Sequence, residues 1–179
     1  MEPLVFKGTE RPITSADLQA VEQQYDFALP DDYKTHLLHS NGGWPVRDTF
    51  FQPDLEGKGQ VVKRSVNSFY AVRYGDDTLE ESLESLRSDL HPDLVPFADD
   101  AGGDQFVLSV GSQDYGSIYY ISHEFYTPPE GEYNEDTDEY TSPAPLDYGS
   151  GVHFLAPSFT AFLEGLLDLP EEEPEASTK

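Results

Sequence analysis

The chain has 179 residues, no cysteine, and 10 Lys plus Arg against 35 Asp plus Glu, for a formal net charge of −25. Without cysteine, disulfides and thiolate metal sites are excluded, and a chain this anionic repels phosphate backbones and anionic lipid, which argues against nucleic acid or membrane as partner. The length fits one domain, expected over residues 1–169, whose 22 Phe and Tyr residues supply much of the area to be buried.

The charge is unevenly spread. Residues 1–87 hold nine basic and 15 acidic residues, whereas residues 88–179 hold one basic and 20 acidic, a net of −19. No Lys or Arg lies between Arg87 and Lys179. A cationic protein is steered toward such a surface by a field that salt weakens. The plainer alternative is that the acidity serves solubility alone. The start, MEPLVFKGTERP, lacks a basic region followed by an apolar run, and no stretch has the ~18 apolar residues of a membrane span, so a cytoplasmic protein is expected.

Thr14 followed by Asp17 predicts a capped helix start, and Leu18, Val21 and Tyr25 repeat at helical spacing behind it. Pro30 is expected at the first position of a second helix, with Asp31 and Asp32 near its positive end and Tyr33, Leu37 and Leu38 as its apolar stripe. Asn41-Gly42-Gly43 stops that helix. Segments 44–51 and 60–74 read as extended, parted by the Gly57-Lys58-Gly59 turn. Thr78 with Glu81 opens a short helix to about Ser88, with Leu79, Leu83 and Leu86 facing inward. Segments 94–98, 105–110 and 117–122 are strands joined by Gly-rich turns of hairpin length.

Residues 125–150 differ from their surroundings: four prolines, four tyrosines and many acids predict a long surface loop or insertion. Ser158 then caps a last helix carrying Phe159, Phe162, Leu163 and Leu166, and Pro170 begins an acidic tail expected to be disordered.

Several residue groups invite a chemical reading. Asp99, Asp100 and Asp104 beside two glycines suit a turn first, a partner surface second, and a metal or acid/base site last. Asn134, Asp136 and Asp138 have the alternate spacing of a calcium loop, but Glu139 and Pro145 occupy the positions that need Gly and Glu. Glu132, Tyr133, Glu135, Asp136, Asp138, Glu139 and Tyr140 combine steering charge with aromatic contact area, and stand as a partner-binding surface against the alternative of an inert solvated loop. His36 and His39 with Asp32 lack a third strong ligand and read as a surface pair. His123-Glu124 reads as the end of a strand, and Trp44 as core or the rim of a concave face. No Gly-x-Ser-x-Gly elbow, Walker sequence or dinucleotide glycine pattern occurs, so neither an enzyme nor a cofactor or metal is expected.

Leu29-Pro30-Asp31-Asp32-Tyr33, a leucine-rich helix, and Asn41-Gly42-Gly43-Trp44-Pro45 resemble the N-terminal signature of the SUKH (Smi/Knr-type) superfamily. Leu94 to Asp100 with Gly102-Gly103-Asp104, then Gly116 to Glu124, and the closing Ser158 to Leu163 resemble its later motifs in order and spacing. The resemblance implies an α+β fold in which a mostly antiparallel sheet packs against the N-terminal helices, with a short C-terminal helix. It also implies a non-catalytic immunity protein that neutralises a cognate bacterial toxin by occluding its active site or substrate path, and the acidic surface suits a basic toxin such as a nuclease. The alternative is a regulatory or scaffold role, as in fungal relatives that govern cell-wall synthesis. The 125–150 segment is longer than the family usually has there. The charge favours a monomer or weak dimer.

Overall fold

The structure is a computed structural model that describes residues 2–170. The expected disordered tail therefore lies, apart from Pro170, outside the described residues. In chain order the elements are β1 (Phe6–Lys7), α1 (Ser15–Tyr25), α2 (Asp31–His39), β2 (Trp44–Pro45), β3 (Thr49–Gln52), β4 (Val62–Ser65), β5 (Ser68–Phe69) and α3 (Leu79–Leu86). They continue with β6 (Leu94–Asp99), β7 (Gln105–Ser109), β8 (Ile118–Ile121), β9 (Tyr133–Asn134), β10 (Glu139–Tyr140), β11 (Val152–Ala156) and α4 (Phe159–Gly165). This is the expected α+β arrangement: an antiparallel five-stranded sheet in the order β11-β8-β7-β6-β5, with β1-β2, β3-β4 and β9-β10 as separate pairs.

Local chemistry sets the helix starts. Thr14 accepts from the Asp17 amide at 3.3 Å while the Asp17 carboxylate accepts from the Thr14 amide at 2.9 Å, a closed capping box. Thr78 and Ser158 accept in the same way from Glu81 and Ala161, at 3.2 and 3.0 Å. Pro30 departs from expectation: with ψ 142° it is extended and sits before the first helical residue, so Asp31 takes that position. The stripe of α2 also differs. Leu38 is 41% exposed, and His36 turns inward instead, its ring among Phe6, Phe69 and Phe159 at centroid distances of 4.7, 5.6 and 5.1 Å. Asp32 is spent on α4, accepting from the Thr160 amide at 2.9 Å and its hydroxyl at 3.0 Å. The histidine pair is thus not a surface pair, and among the described residues no group of three His, Asp or Glu side chains is placed to hold a metal ion.

Burial pushes the His36 imidazole down to about 4, with His39 adding repulsion. The folded state therefore holds it neutral while the unfolded chain binds a proton near the ordinary value of 6.5. Its contribution to stability is complete above about pH 6.5 and is lost as pH falls toward 4, on the order of 3 kcal/mol in all. We expect His36→Leu to lose less stability than the parent chain between pH 7 and 4.5. Urea midpoints at both pH values check this, and equal losses would show that His36 is not the titrating group.

Strand alternation divides the sheet's side chains between two cores. One face carries Val95, Phe97, Phe106, Leu108, Ile118, Tyr120 and Leu155 toward the helices. There Tyr33, Phe69, Phe97, Phe106, Phe159 and Phe162 form a chain of ring contacts, most of them edge-on or tilted. Each such side chain, fully buried, stabilises the fold by roughly 2–3 kcal/mol. A register shift between Pro96 and Ala98 puts both Phe97 and Ala98 into this core and sets Pro96, which has no N–H, at the irregularity. The opposite face carries Leu94, Val107, Ile121 and Val152 into a second core completed by Leu90 and Tyr148. Tyr148 belongs to the expected surface loop, so this part of the insertion is a lid on the sheet rather than a solvated excursion.

The extended 60–74 segment carries two strands, β4 and β5, separated at Val66 and Asn67, and the chain then turns at Arg73, φ 68°. Trp44 is 49% exposed and lies over Gly8, outside the core.

Candidate partner-binding surface

The two carboxylate groups singled out in the sequence occupy different places. Asp100 and Asp104 lie on the turn joining β6 to β7. The Asp100 carboxylate accepts from the Gly102 and Asp104 amides at 2.9 and 2.8 Å, which makes it the organiser of a tight turn. Its other oxygen accepts from the Tyr120 hydroxyl at 2.7 Å, and the same hydroxyl contacts the Asp104 carboxylate. Asp104 also accepts from the His123 amide at 2.9 Å and contacts the His123 ring. Burial alone raises the Asp104 carboxyl, but hydrogen bonds from Tyr120, the His123 amide and the His123 ring outweigh it and hold the group below the usual range. Burial and the two carboxylates push the Tyr120 phenol up strongly, so it acts only as a donor. Asp99 is engaged separately, accepting from the Asn67 side chain at 3.1 Å, and burial raises its carboxyl.

This cluster is largely occupied with itself. The Arg64 guanidinium lies 4.0 Å from the centre of the Tyr120 ring and donates to Gln52 at 2.9 Å. Sequence reasoning missed Tyr120 and Arg64 because nothing in Ile118-Tyr119-Tyr120-Ile121 shows which tyrosine points to the carboxylates until the strand's facing is known. The arrangement closes a turn and fixes the start of β7.

The second group is presented differently. Residues 132–141 form a hairpin, Tyr133 paired with Tyr140 and Asn134 with Glu139, extended by the Thr141 amide donating to the Glu132 carbonyl at 2.8 Å. At the tip the Asn134 side chain accepts from the Asp136 amide at 2.9 Å, and Asp138 takes a left-handed φ of 56°, which Asp tolerates. Gly131 is required at the base, since a β-carbon there would sit 1.5 Å from the Thr141 carbonyl oxygen. The two tyrosine rings are 5.1 Å apart and 48% and 67% exposed. The Tyr133 hydroxyl contacts Asp138, and this hydrogen bond raises the phenol. Glu132, Glu135, Asp136, Asp138 and Glu139 are all exposed around this pair.

The hairpin stands on an anchored base. The Tyr148 and Tyr119 hydroxyls donate to one oxygen of Asp114, each at 2.6 Å, and Ser109 donates to the other at 2.5 Å. The His91 ring packs edge-on to Tyr148 at 5.0 Å and bonds the Ala144 carbonyl at 2.9 Å. The Tyr126 hydroxyl donates to the Asp89 carbonyl at 2.6 Å. These contacts tie the insertion to the segment before β6, the opposite end of that strand from Asp99 and Asp100. Among the described residues no hydrogen bond or ion pair joins the hairpin to the Asp100–Asp104 turn.

The sequence profile described as the SMI1 / KNR4 family (SUKH-1) matches residues 12–165. The chain belongs to this family. The SUKH-1 match takes in the Leu29-Pro30 step, Asn41-Gly42-Gly43, the Asp100–Asp104 turn and the whole insertion, so the hairpin is an elaboration within the family domain rather than an appendage to it. SUKH proteins are known as immunity proteins and also occur in fungi, and the family is generally non-catalytic. A comparison with curated proteins gives no match. No helix among the described residues is long and apolar enough to cross a membrane.

Proposed function

We propose that this SUKH-1 protein is an immunity protein of the cytoplasm that binds a cognate basic toxin and covers its active site or substrate path. The observation that carries the reading is the acidic hairpin: two exposed tyrosines in tilted ring contact, ringed by five carboxylates, on a half of the chain with a net charge of −19. Aromatic side chains supply contact area at an interface, and like-signed carboxylates speed encounter with a cationic partner and reject anionic ones. The Asp99, Asp100 and Asp104 turn is a secondary part of this surface, since its carboxylates are mostly engaged internally.

The test is co-expression with the reading frame immediately upstream, followed by purification in about 0.15 M salt and at rising salt. Stoichiometric copurification with loss of the neighbour's toxicity supports the reading. Copurification with many endogenous proteins and a harmless neighbour supports a scaffold instead. Neutralising Glu132, Glu135, Asp136, Asp138 and Glu139 to their amides is expected to slow association about tenfold or more and flatten its salt dependence, as measured by stopped flow. An unchanged rate removes the hairpin from the interface.

A further inference from the structure

Beside the hairpin base, a groove of about 490 Å³ runs between residues 87–92 and the flanks of the hairpin. Pro92, Pro128, Pro129 and Pro143 line it, together with the Tyr140 ring. Prolines contribute carbonyl oxygens but no N–H. The Thr141 amide, also at the groove, is taken up by the Glu132 carbonyl. The four prolines and Thr141 therefore bring no free backbone N–H to the groove. Two carboxylates, Asp89 and Glu130, line the same groove, and among the described residues neither side chain has a hydrogen bond or an ion pair. The one cation at the groove, Arg87, is engaged elsewhere, donating to the Tyr25 carbonyl at 2.8 Å with its guanidinium 5.8 Å from the Tyr25 ring.

We propose that this groove is the anchor site for an arginine side chain presented by the basic partner. A guanidinium has five donors and no acceptor, which complements the acceptor-only carboxylates of Asp89 and Glu130 in the lining. Its flat face stacks on an aromatic ring, here Tyr140, and its aliphatic stem covers proline rings. The two unengaged carboxylates supply the countercharge. Lysine fills the site less well, since a compact ammonium does not match flat walls. Anchors of this kind, seated in a pocket near the centre of a contact surface, carry a large share of binding energy. The inference rests on the reading of a basic protein partner, and names the residue type by which that partner is held.

The experiment is a titration of the full chain followed by amide correlation spectra, in about 20 mM salt where charge is least screened. The probe is the capped tripeptide acetyl-Gly-Arg-Gly-amide, with its lysine and citrulline analogues as controls. The expected result is saturable shifts confined to residues 87–92 and 128–143, with a Kd on the order of 1 mM for so small a ligand. Lysine binds at least about threefold more weakly and citrulline shows no saturation. Glu130→Gln and Tyr140→Ala each weaken the arginine peptide by about fivefold or more, while spectra of the sheet residues stay unchanged to show that both variants fold. Shifts scattered over every acidic surface, or equal binding of arginine and lysine with no effect of either variant, overturn the proposal. The titration uses no toxin, so its failure leaves neutralisation through another surface standing. A saturating peptide with a non-toxic upstream neighbour sinks the immunity reading and keeps the groove.

Discussion

Replacing Asn41 by alanine is expected to lower stability by about 3 kcal/mol, a large share of the roughly 5–15 kcal/mol that holds a domain together. Asn41 is 3% exposed, and its side chain joins two parts of the chain that are far apart in sequence. The amide nitrogen donates to the Arg11 carbonyl at 2.9 Å and the Val72 carbonyl at 3.0 Å, while the amide oxygen accepts from the Val72 N–H at 2.7 Å. Truncation strands the Val72 N–H in the core, because Val72 is wholly buried. The Val72 carbonyl keeps a bond from the Tyr74 amide at 2.8 Å, and the carbonyl of exposed Arg11 finds water, which limits the loss. Asn41→Asp is expected to cost more at pH 7, since it sets a carboxylate against two carbonyl oxygens. Protonation restores one donor, so this variant should lose less relative to the parent as pH falls. Urea unfolding of both variants at pH 7 and 5 checks the order. An alanine variant within about 1 kcal/mol of the parent would mean that the clamp does not hold these segments.

Asn41 also shows what the sequence conceals. Asn41-Gly42-Gly43 is legible as a break after α2, but the helix already leaves through Ser40, extended at φ −142°, so the glycines do not cap it; Gly42 adopts φ 73° with no room for a β-carbon, which would lie 2.8 Å from that of Ala71. The reason for the asparagine is invisible, because its partners are about 30 residues away on either side. The same division runs through the fold. Thr14, Thr78 and Ser158 were readable as helix starts because a cap is made within four residues. The strands β6, β7 and β8 were readable from apolar runs bounded by glycine turns. Periodicity could not decide between His36 and Leu38, since a helix of nine residues leaves the stripe's edges undefined until Phe6, Phe69 and Phe159 arrive from elsewhere. For the candidate surface, the acids and tyrosines of 132–140 stood out by composition. Their separation from the Asp100–Asp104 turn, and the role of Tyr148 as a buried anchor, depend on which sheet face the insertion crosses.

That anchor carries the second large effect, at Asp114. Its carboxylate accepts three hydroxyls, from Ser109, Tyr119 and Tyr148, and burial together with this charge pushes both phenols up. Hydrogen bonds to a charged group contribute about 1.5–3 kcal/mol each, but Asp114 is only half-buried, so water replaces part of what is lost. Asp114→Ala is expected to cost about 2–4 kcal/mol, whereas Tyr148→Phe, which keeps the ring contacts with His91 and Tyr119, is expected to cost about 1 kcal/mol. The loss should be local before it is global. Amide exchange in Asp114→Ala should speed through residues 125–150 well before it does in β6 and β7, whose first-face side chains are held by the helices. If the hairpin is the binding surface, loosening its base adds an ordering cost to association, so the variant should bind the proposed basic partner more weakly without any contact residue having changed. Uniform exchange across the sheet and insertion would instead mean that the second core unfolds together with the first, and that the lid is part of one cooperative unit.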